Sequence, residues 1–292
     1  MAAALQFDQV TKKYGAQTAL NALTLSVESG EIVGFLGPNG AGKSTAIHLA
    51  MGFLRPSAGG GTILGKPFGD AATRARVGFL PDSPAFFSGT ARDAIRLAGA
   101  LSGMRDPQLR MRADEMLRAL NLHEPHKDVR KFSRGMQQRA ALAAALVHDP
   151  DVLILDEPTS ALDPTGVIEV RELLRAARDA GKAVFFSSHQ LSEVEEVCDR
   201  VAFLRSGKLE RVGTLDELTA VGARVEIVAR LPGDVPGFHG EKLSDQRVRF
   251  LVPPSEERRC IESIWAHSGE LLSVMRQRRS LEELYIESQG AA

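Results

Sequence analysis

The sequence predicts an α/β fold built on a mainly parallel sheet, and three observations carry that reading. Short, β-prone apolar runs recur at residues 31–36, 152–155 and 183–187. Helical patterns lie between such runs, as at 166–180, which is the alternation of strands joined by crossovers. Residues with chemical potential follow the runs: a glycine-rich turn after the first, two acids after the second, and His189 after the third.

Taken in order, residues 5–10 and 23–27 read as short strands separated by a turn near Gly15. The run 31–36 leads through the glycine-rich turn into a helix from Lys43 to about Phe53. A further strand is expected at 77–80. Residues 88–131 are helix-rich and strand-poor, with helices expected at 91–101 and 108–122, and a helical insertion is placed at about 88–145. After Thr214 the pattern changes. Strands at 225–229, 248–252 and 271–275, an amphipathic helix at 255–267 and a closing helix at 281–288 predict a small α+β domain. A Pro/Gly-rich loop, 232–240, lies inside it. The domains are therefore expected at 1–214 and 215–292.

The chain has 292 residues, 43% hydrophobic and 25% charged. That is ordinary globular composition, enough to bury a core without disulfides or metals. A net charge of −1 supplies no global basic field for nucleic acid or anionic lipid. The arginine-rich tract 276–279 reads as a solvated face. Cys198 and Cys260 form no CxxC or Cys/His pattern and are expected as reduced cytosolic thiols. The first residues lack the basic stretch and apolar run of a signal peptide. The longest apolar run, 140–147, falls far short of the ~20 residues that span a bilayer. Any membrane role is expected to go through a partner.

Gly37-Pro38-Asn39-Gly40-Ala41-Gly42-Lys43-Ser44-Thr45 fits the phosphate-binding pattern GxxxxGK[ST]. Glycines let backbone N–H groups turn inward around an anion, and the following helix adds its positive end. Lys43 would reach the β- and γ-phosphates, and the Ser44 hydroxyl would ligate Mg²⁺. Asp156 and Glu157 end the apolar run 152–155, where α/β sheets bind ligands. Asp156 would hold Mg²⁺ through water, and Glu157 is placed to polarise an attacking water.

Phe132-Ser133-Arg134-Gly135-Met136-Gln137-Gln138-Arg139 resembles the signature motif of the ABC ATPases, usually written LSGGQ. With the phosphate loop and the Asp-Glu pair, this likeness covers about residues 4–213. It implies a P-loop ABC ATPase core with a mainly parallel sheet, an N-terminal antiparallel β-subdomain and a helical insertion, with the small α+β domain appended. It also implies that Ser133 and the Gly135 N–H touch the γ-phosphate bound on an opposing subunit. By the same resemblance Tyr14 stacks on adenine, Asp163 in Ser160-Ala-Leu-Asp163 couples the two sites, and His189 contacts the γ-phosphate.

Three positions depart from the family pattern. Asp82 stands where the family has a glutamine after the strand 77–80, exchanging a neutral carbonyl for a shorter, charged group as a metal ligand. Arg134 and Met136 replace Gly and Gln in the signature, which leaves the Ser133 and Gly135 contacts intact. The Phe-Ser-Arg-Gly-Met wording and the tail ending Tyr285 resemble the ABC-2-type exporter branch. The implied function is ATP hydrolysis in a homodimer or paralogue heterodimer that drives a separate polytopic membrane permease from the cytoplasmic face. The implied ligands are ATP and Mg²⁺, and no nucleic acid is expected. A soluble non-transport ABC ATPase fits less well, because only one ATPase unit is present and the stretch 82–133 is too short for a coiled coil. A nucleotide-sensing regulator is disfavoured by the presence of Glu157 and His189.

Overall fold

The computed structural model describes residues 3–123, 126–220, 224–244, 246–277 and 281–284. The chain divides into two compact units, Met1–Gly213 and Thr214–Ala292.

The first unit opens with a four-stranded antiparallel sheet in the order Gln17–Val27, Leu5–Tyr14, Ala58–Ile63, Lys66–Pro67. Its first two strands are longer than the sequence suggested and meet in a tight hairpin that pairs Tyr14 with Gln17. Their true length was hidden by register shifts between Phe7 and Val10 and again around Lys12, which break the two-residue alternation. The strand Ala58–Ile63 carried no strand signal, because AGGGTI is half glycine. Two of those glycines answer a close backbone approach: a Cβ on Gly59 would lie 2.2 Å from the Gln9 carbonyl, and one on Gly61 2.2 Å from the Gln6 carbonyl and 2.2 Å from the Phe68 ring.

Beneath this sheet lies a six-stranded sheet in the order Lys208–Thr214, Arg200–Arg205, Ile32–Leu36, Ala183–Ser188, Val152–Asp156, Val77–Leu80. The last five of these run parallel. Ile32–Leu36, Val152–Asp156 and Ala183–Ser188 are buried at every residue. That is why they read as continuous apolar runs rather than alternating ones. Phe7 of the antiparallel sheet meets Phe185 of the parallel one at 5.8 Å between ring centres, and Phe185 meets Phe35 at 5.2 Å. One apolar core thus joins both sheets and the helix Lys43–Ala50.

That helix stops at Ala50, short of the expected Phe53, because Gly52 turns the chain in the left-handed region at φ 73. The insertion holds the helices Ala91–Leu101 and Gln108–Ala119, a short 3-10 turn at Val129–Lys131, and the helix Arg134–Leu146. A capping box between Thr90 and Asp93 starts the first of them. The second ends at Ala119, before the expected residue 122, as Asn121 takes φ 53.

The second unit is a four-stranded antiparallel sheet in the order Gly240–Ser244, Arg247–Val252, Arg224–Arg230, Glu270–Gln277. The helix Glu257–Ala266 covers one face, with Cys260 and Ile264 packed on Val225, Ile227 and Phe250. The strand Gly240–Ser244 follows the predicted loop and escaped notice, since GEKLS offers no apolar alternation. Of the expected closing helix, residues 281–284 are helical. Residues 285–288, with Tyr285, lie outside the described residues, as do Arg278 and Arg279 of the basic tract.

Gly61→Ala should destabilise the fold by about 1–3 kcal/mol, because a backbone carbonyl cannot yield to the added methyl. Gly60, whose added Cβ would meet nothing within 4 Å, should tolerate alanine within about 0.5 kcal/mol. Urea denaturation of the two variants checks the contrast.

Candidate nucleotide site

Parallel strands deliver their carboxyl ends to one edge, and a cleft of about 820 Å³ opens there. Tyr14, Lys43, Ser44, Asp82, Asp156, Glu157 and His189 all line it. Pro38, Asn39, Gly40, Gly42 and Thr45 line it as well. Gly37 and Ala41 of the same loop are absent from the lining and serve packing instead. A Cβ on Gly37 would fall 2.3 Å from the Leu204 carbonyl, and Ala41 is buried.

The loop passes into the helix Lys43–Ala50 through Gly42, which sits at φ 110 with no side chain to cap the first amides. Those amides therefore face the cleft as donors for an anion. Lys43 is only 7% exposed. Its Nζ donates to the Gly37 carbonyl at 2.7 Å and stands 3.9 Å from Glu157 Oε1. A buried ammonium held by carbonyls and one carboxylate at ion-pair range is poised for a stronger anionic partner.

Asp156 ends its strand fully inside, and its carboxylate accepts from the Ser187 hydroxyl. Glu157 then turns in the left-handed region at φ 52, a conformation that costs a non-glycine residue about 1–3 kcal/mol. Two residues that sequence reasoning left without a role hold it there. The Glu157 N–H donates to Ser187, to both carbonyl and hydroxyl at 3.2 Å. Its carbonyl accepts from Gln138 Nε2 at 3.1 Å. Gln138 lies within the quoted signature segment, so its position marked it, but a buried amide bracing a distant loop leaves no trace in spacing.

The bend aims the Glu157 side chain at His189, with Oε2 to Nδ1 at 2.7 Å. Burial pushes the Glu157 carboxyl above its ordinary value, opposed by the His189 hydrogen bond and charge and by Lys43. Tyr14 is about half exposed at the rim, with Lys12 Nζ 5.1 Å from its ring centre. Asp82 is exposed just beyond the strand Val77–Leu80. Gln17, Thr18 and Ser206 join Tyr14 at that rim without any motif to announce them.

Ser133, Gly135 and Asp163 do not line the cleft. Ser133 caps the helix Arg134–Leu146 through the Met136 N–H at 3.2 Å. Gly135 lies against Ala161, whose carbonyl would be 2.7 Å from an added Cβ. Asp163 caps the helix Pro164–Asp179 through the Gly166 N–H and pairs with Arg139 at 3.1 Å. That backbone bond first, and Arg139 second, lowers its carboxyl below the ordinary range.

Among the described residues no group of three or more His, Cys, Asp and Glu is placed to hold a metal by itself. A hydroxyl from Ser44 and a buried carboxylate from Asp156 suit Mg²⁺, which takes one or two protein oxygens and completes its shell with phosphate and water.

Because the folded Glu157 carboxyl keeps its proton to higher pH than an unfolded one, folding loses stability as pH rises upward from the ordinary value of 4.5. Glu157→Gln removes that loss. In nucleotide-free protein the melting temperature of Glu157→Gln relative to the parent should therefore climb between about pH 4 and pH 7. Scanning calorimetry across that range checks the sign.

The ABC transporter family matches this chain over residues 20–160. The linearmycin resistance ATP-binding protein LnrL of Bacillus subtilis is 34% identical, over 98% of this chain and 98% of its own. The Nod factor export ATP-binding protein I of Paraburkholderia xenovorans is 38% identical, over 75% of this chain and 73% of its own. Among solved structures, the dimeric post-hydrolysis state of the ATP-binding cassette MJ0796, bound to ADP and Pi, superposes with a TM-score of 0.67 at 28% identity. It covers 72% of this chain and 98% of that one. With a phosphate loop, a strand-end carboxylate pair and a facing histidine at one sheet edge, and likeness over nearly its whole length, this chain belongs to the ABC transporter ATP-binding proteins, the ATP-hydrolysing subunits of those transporters.

Proposed function

We propose that the chain is the motor of an ABC-2-type exporter, working as a dimer on a separate membrane permease. The observation that carries the reading is the convergence of Lys43, Glu157 and His189 at one strand edge. The loop amides and Lys43 would take the β- and γ-phosphates, exchanging the Gly37 carbonyl for phosphate oxygen. Ser44 and Asp156 would hold Mg²⁺, which neutralises phosphate charge when bound, with Asp82 as a further ligand. Glu157 would polarise the attacking water, its orientation fixed by the Ser187 and Gln138 contacts. His189 would hold Glu157 on one side and meet the γ-phosphate on the other. Tyr14 would stack on the adenine.

Ser133 and Gly135 do not line their own chain's cleft, which supports a role at the site of a second copy. That arrangement is consistent with the dimeric state of the related cassette. Asp163, tied through Arg139 to the signature helix, would relay between the two sites. Closure would follow ATP binding, because each γ-phosphate would touch both chains, and hydrolysis would release it. Among the described residues no helix is long and apolar enough to cross a membrane. The permease would then hold the motor at the cytoplasmic face. A groove lined by Phe79, Phe86, Phe87, Leu97 and Leu101, with Phe87 82% exposed, offers the apolar surface for that contact.

Glu157→Gln should slow hydrolysis by about 100-fold or more while ATP still binds. The same variant should sediment as a dimer in saturating ATP and as a monomer without it. A monomer in both conditions would contradict the shared-site reading. Purified with ATP in mild detergent, it should carry a polytopic partner identifiable by mass spectrometry.

A further inference from the structure

Glu193 has no part in the mechanism above, yet it is a 3%-exposed carboxylate inside the nucleotide-binding unit. Its Oε2 accepts from the Thr159 hydroxyl at 2.5 Å and from the Ser188 hydroxyl at 3.3 Å. Among the described residues its Oε1 is buried with no hydrogen-bond partner. A buried carboxylate is costly and calls for a reason.

The identity of its two partners supplies one. Thr159 lies two residues after Glu157, and Ser188 lies one residue before His189. Both hydroxyls are themselves buried. The loop leaving one strand and the end of its neighbour are thus clasped by a single oxygen. The Glu157 backbone is already tied to Ser187, which fixes where the loop begins. Glu193 fixes where it goes next, and it holds the Ser188 hydroxyl, which also accepts from the Gln190 N–H at 2.9 Å just past His189.

We propose that Glu193 is a positioning residue for ATP hydrolysis, joining Thr159 to Ser188 so that Glu157 and His189 keep their 2.7 Å contact. The inference rests on the roles proposed for Glu157 and His189. Neither Glu193 nor Thr159 lines the cleft, so nucleotide binding should be spared. A misplacement on the scale of an ångström at reacting groups costs turnover far more than affinity.

The test measures kcat and KM for ATP on the full chain, with kcat normalised to the amount of nucleotide bound. Glu193→Ala should lower kcat by about 10- to 100-fold and leave KM within about twofold. Glu193→Gln, which keeps the shape and the acceptor oxygen, should recover most of that loss. Thr159→Val and Thr159→Ser repeat the test without touching the carboxylate, should Glu193→Ala fail to fold. The valine should reproduce the kcat loss, and the serine, which keeps the hydroxyl, should restore it. Because the two residues act through one contact, Glu193→Ala with Thr159→Val should be no slower than the worse single variant. Normal kcat in Glu193→Ala or in Thr159→Val, or losses that multiply in the double variant, would overturn the proposal. Glu157→Gln serves as the reference. If it retains turnover, the catalytic assignment fails, whereas a dead Glu157→Gln beside a fully active Thr159→Val removes only the role given to Glu193.

Discussion

Parallel pairing forces the strands Ile32–Leu36, Val152–Asp156 and Ala183–Ser188 to finish at the same edge of the sheet, and the chemistry of this chain depends on that constraint. Three segments distant in sequence, those of Lys43, Glu157 and His189, are brought within ion-pair or hydrogen-bonding range because each follows the carboxyl end of a neighbouring strand. The packing beneath keeps those ends in register. Phe7, Phe35 and Phe185 bind the antiparallel sheet to the parallel one, so neither sheet can slide without opening the core.

Lys43 is buried against two carbonyls and stands at ion-pair distance from Glu157 rather than in direct contact. Glu157 is held in a left-handed bend by Ser187 and Gln138, and burial disfavours its charge. Strain and desolvation gathered on one carboxylate are expected where the surroundings are built around a reacting partner. A polyphosphate with its metal would bring an anion to Lys43 and a cation near Asp156.

Much of this was legible in the residues. The phosphate loop and the Asp156-Glu157 pair rest on local spacing, and local spacing survives in a sequence. The parallel strands Ile32–Leu36, Val152–Asp156 and Ala183–Ser188 were visible because burial on both faces makes them uniformly apolar, whereas Arg200–Arg205, with an arginine at each end, went unread. Three kinds of feature were not legible. Strands whose identity comes from close backbone approach, such as Ala58–Ile63, carry no strand signal. Charged edge strands, such as Gly240–Ser244, carry no alternation. Side chains that brace the site from afar, Gln138, Ser187 and Glu193, become meaningful only once the fold sets them beside Glu157. The roles of Ser133, Gly135 and Asp163 came from resemblance alone, and in one chain they stand outside the cleft.

The central claim is that a working site draws on two chains, with the phosphate loop of one and the signature segment of the other. Mixing two inactive variants tests it most directly. Lys43→Ala lacks the phosphate-binding lysine but keeps Ser133, and Ser133→Arg blocks the signature but keeps Lys43. Phosphate release should be negligible for each protein alone and should return when the two are mixed, because the mixed dimer holds one site with both parts intact. A mixture as inactive as its components, or a Ser133→Arg chain that hydrolyses ATP normally by itself, would contradict the account.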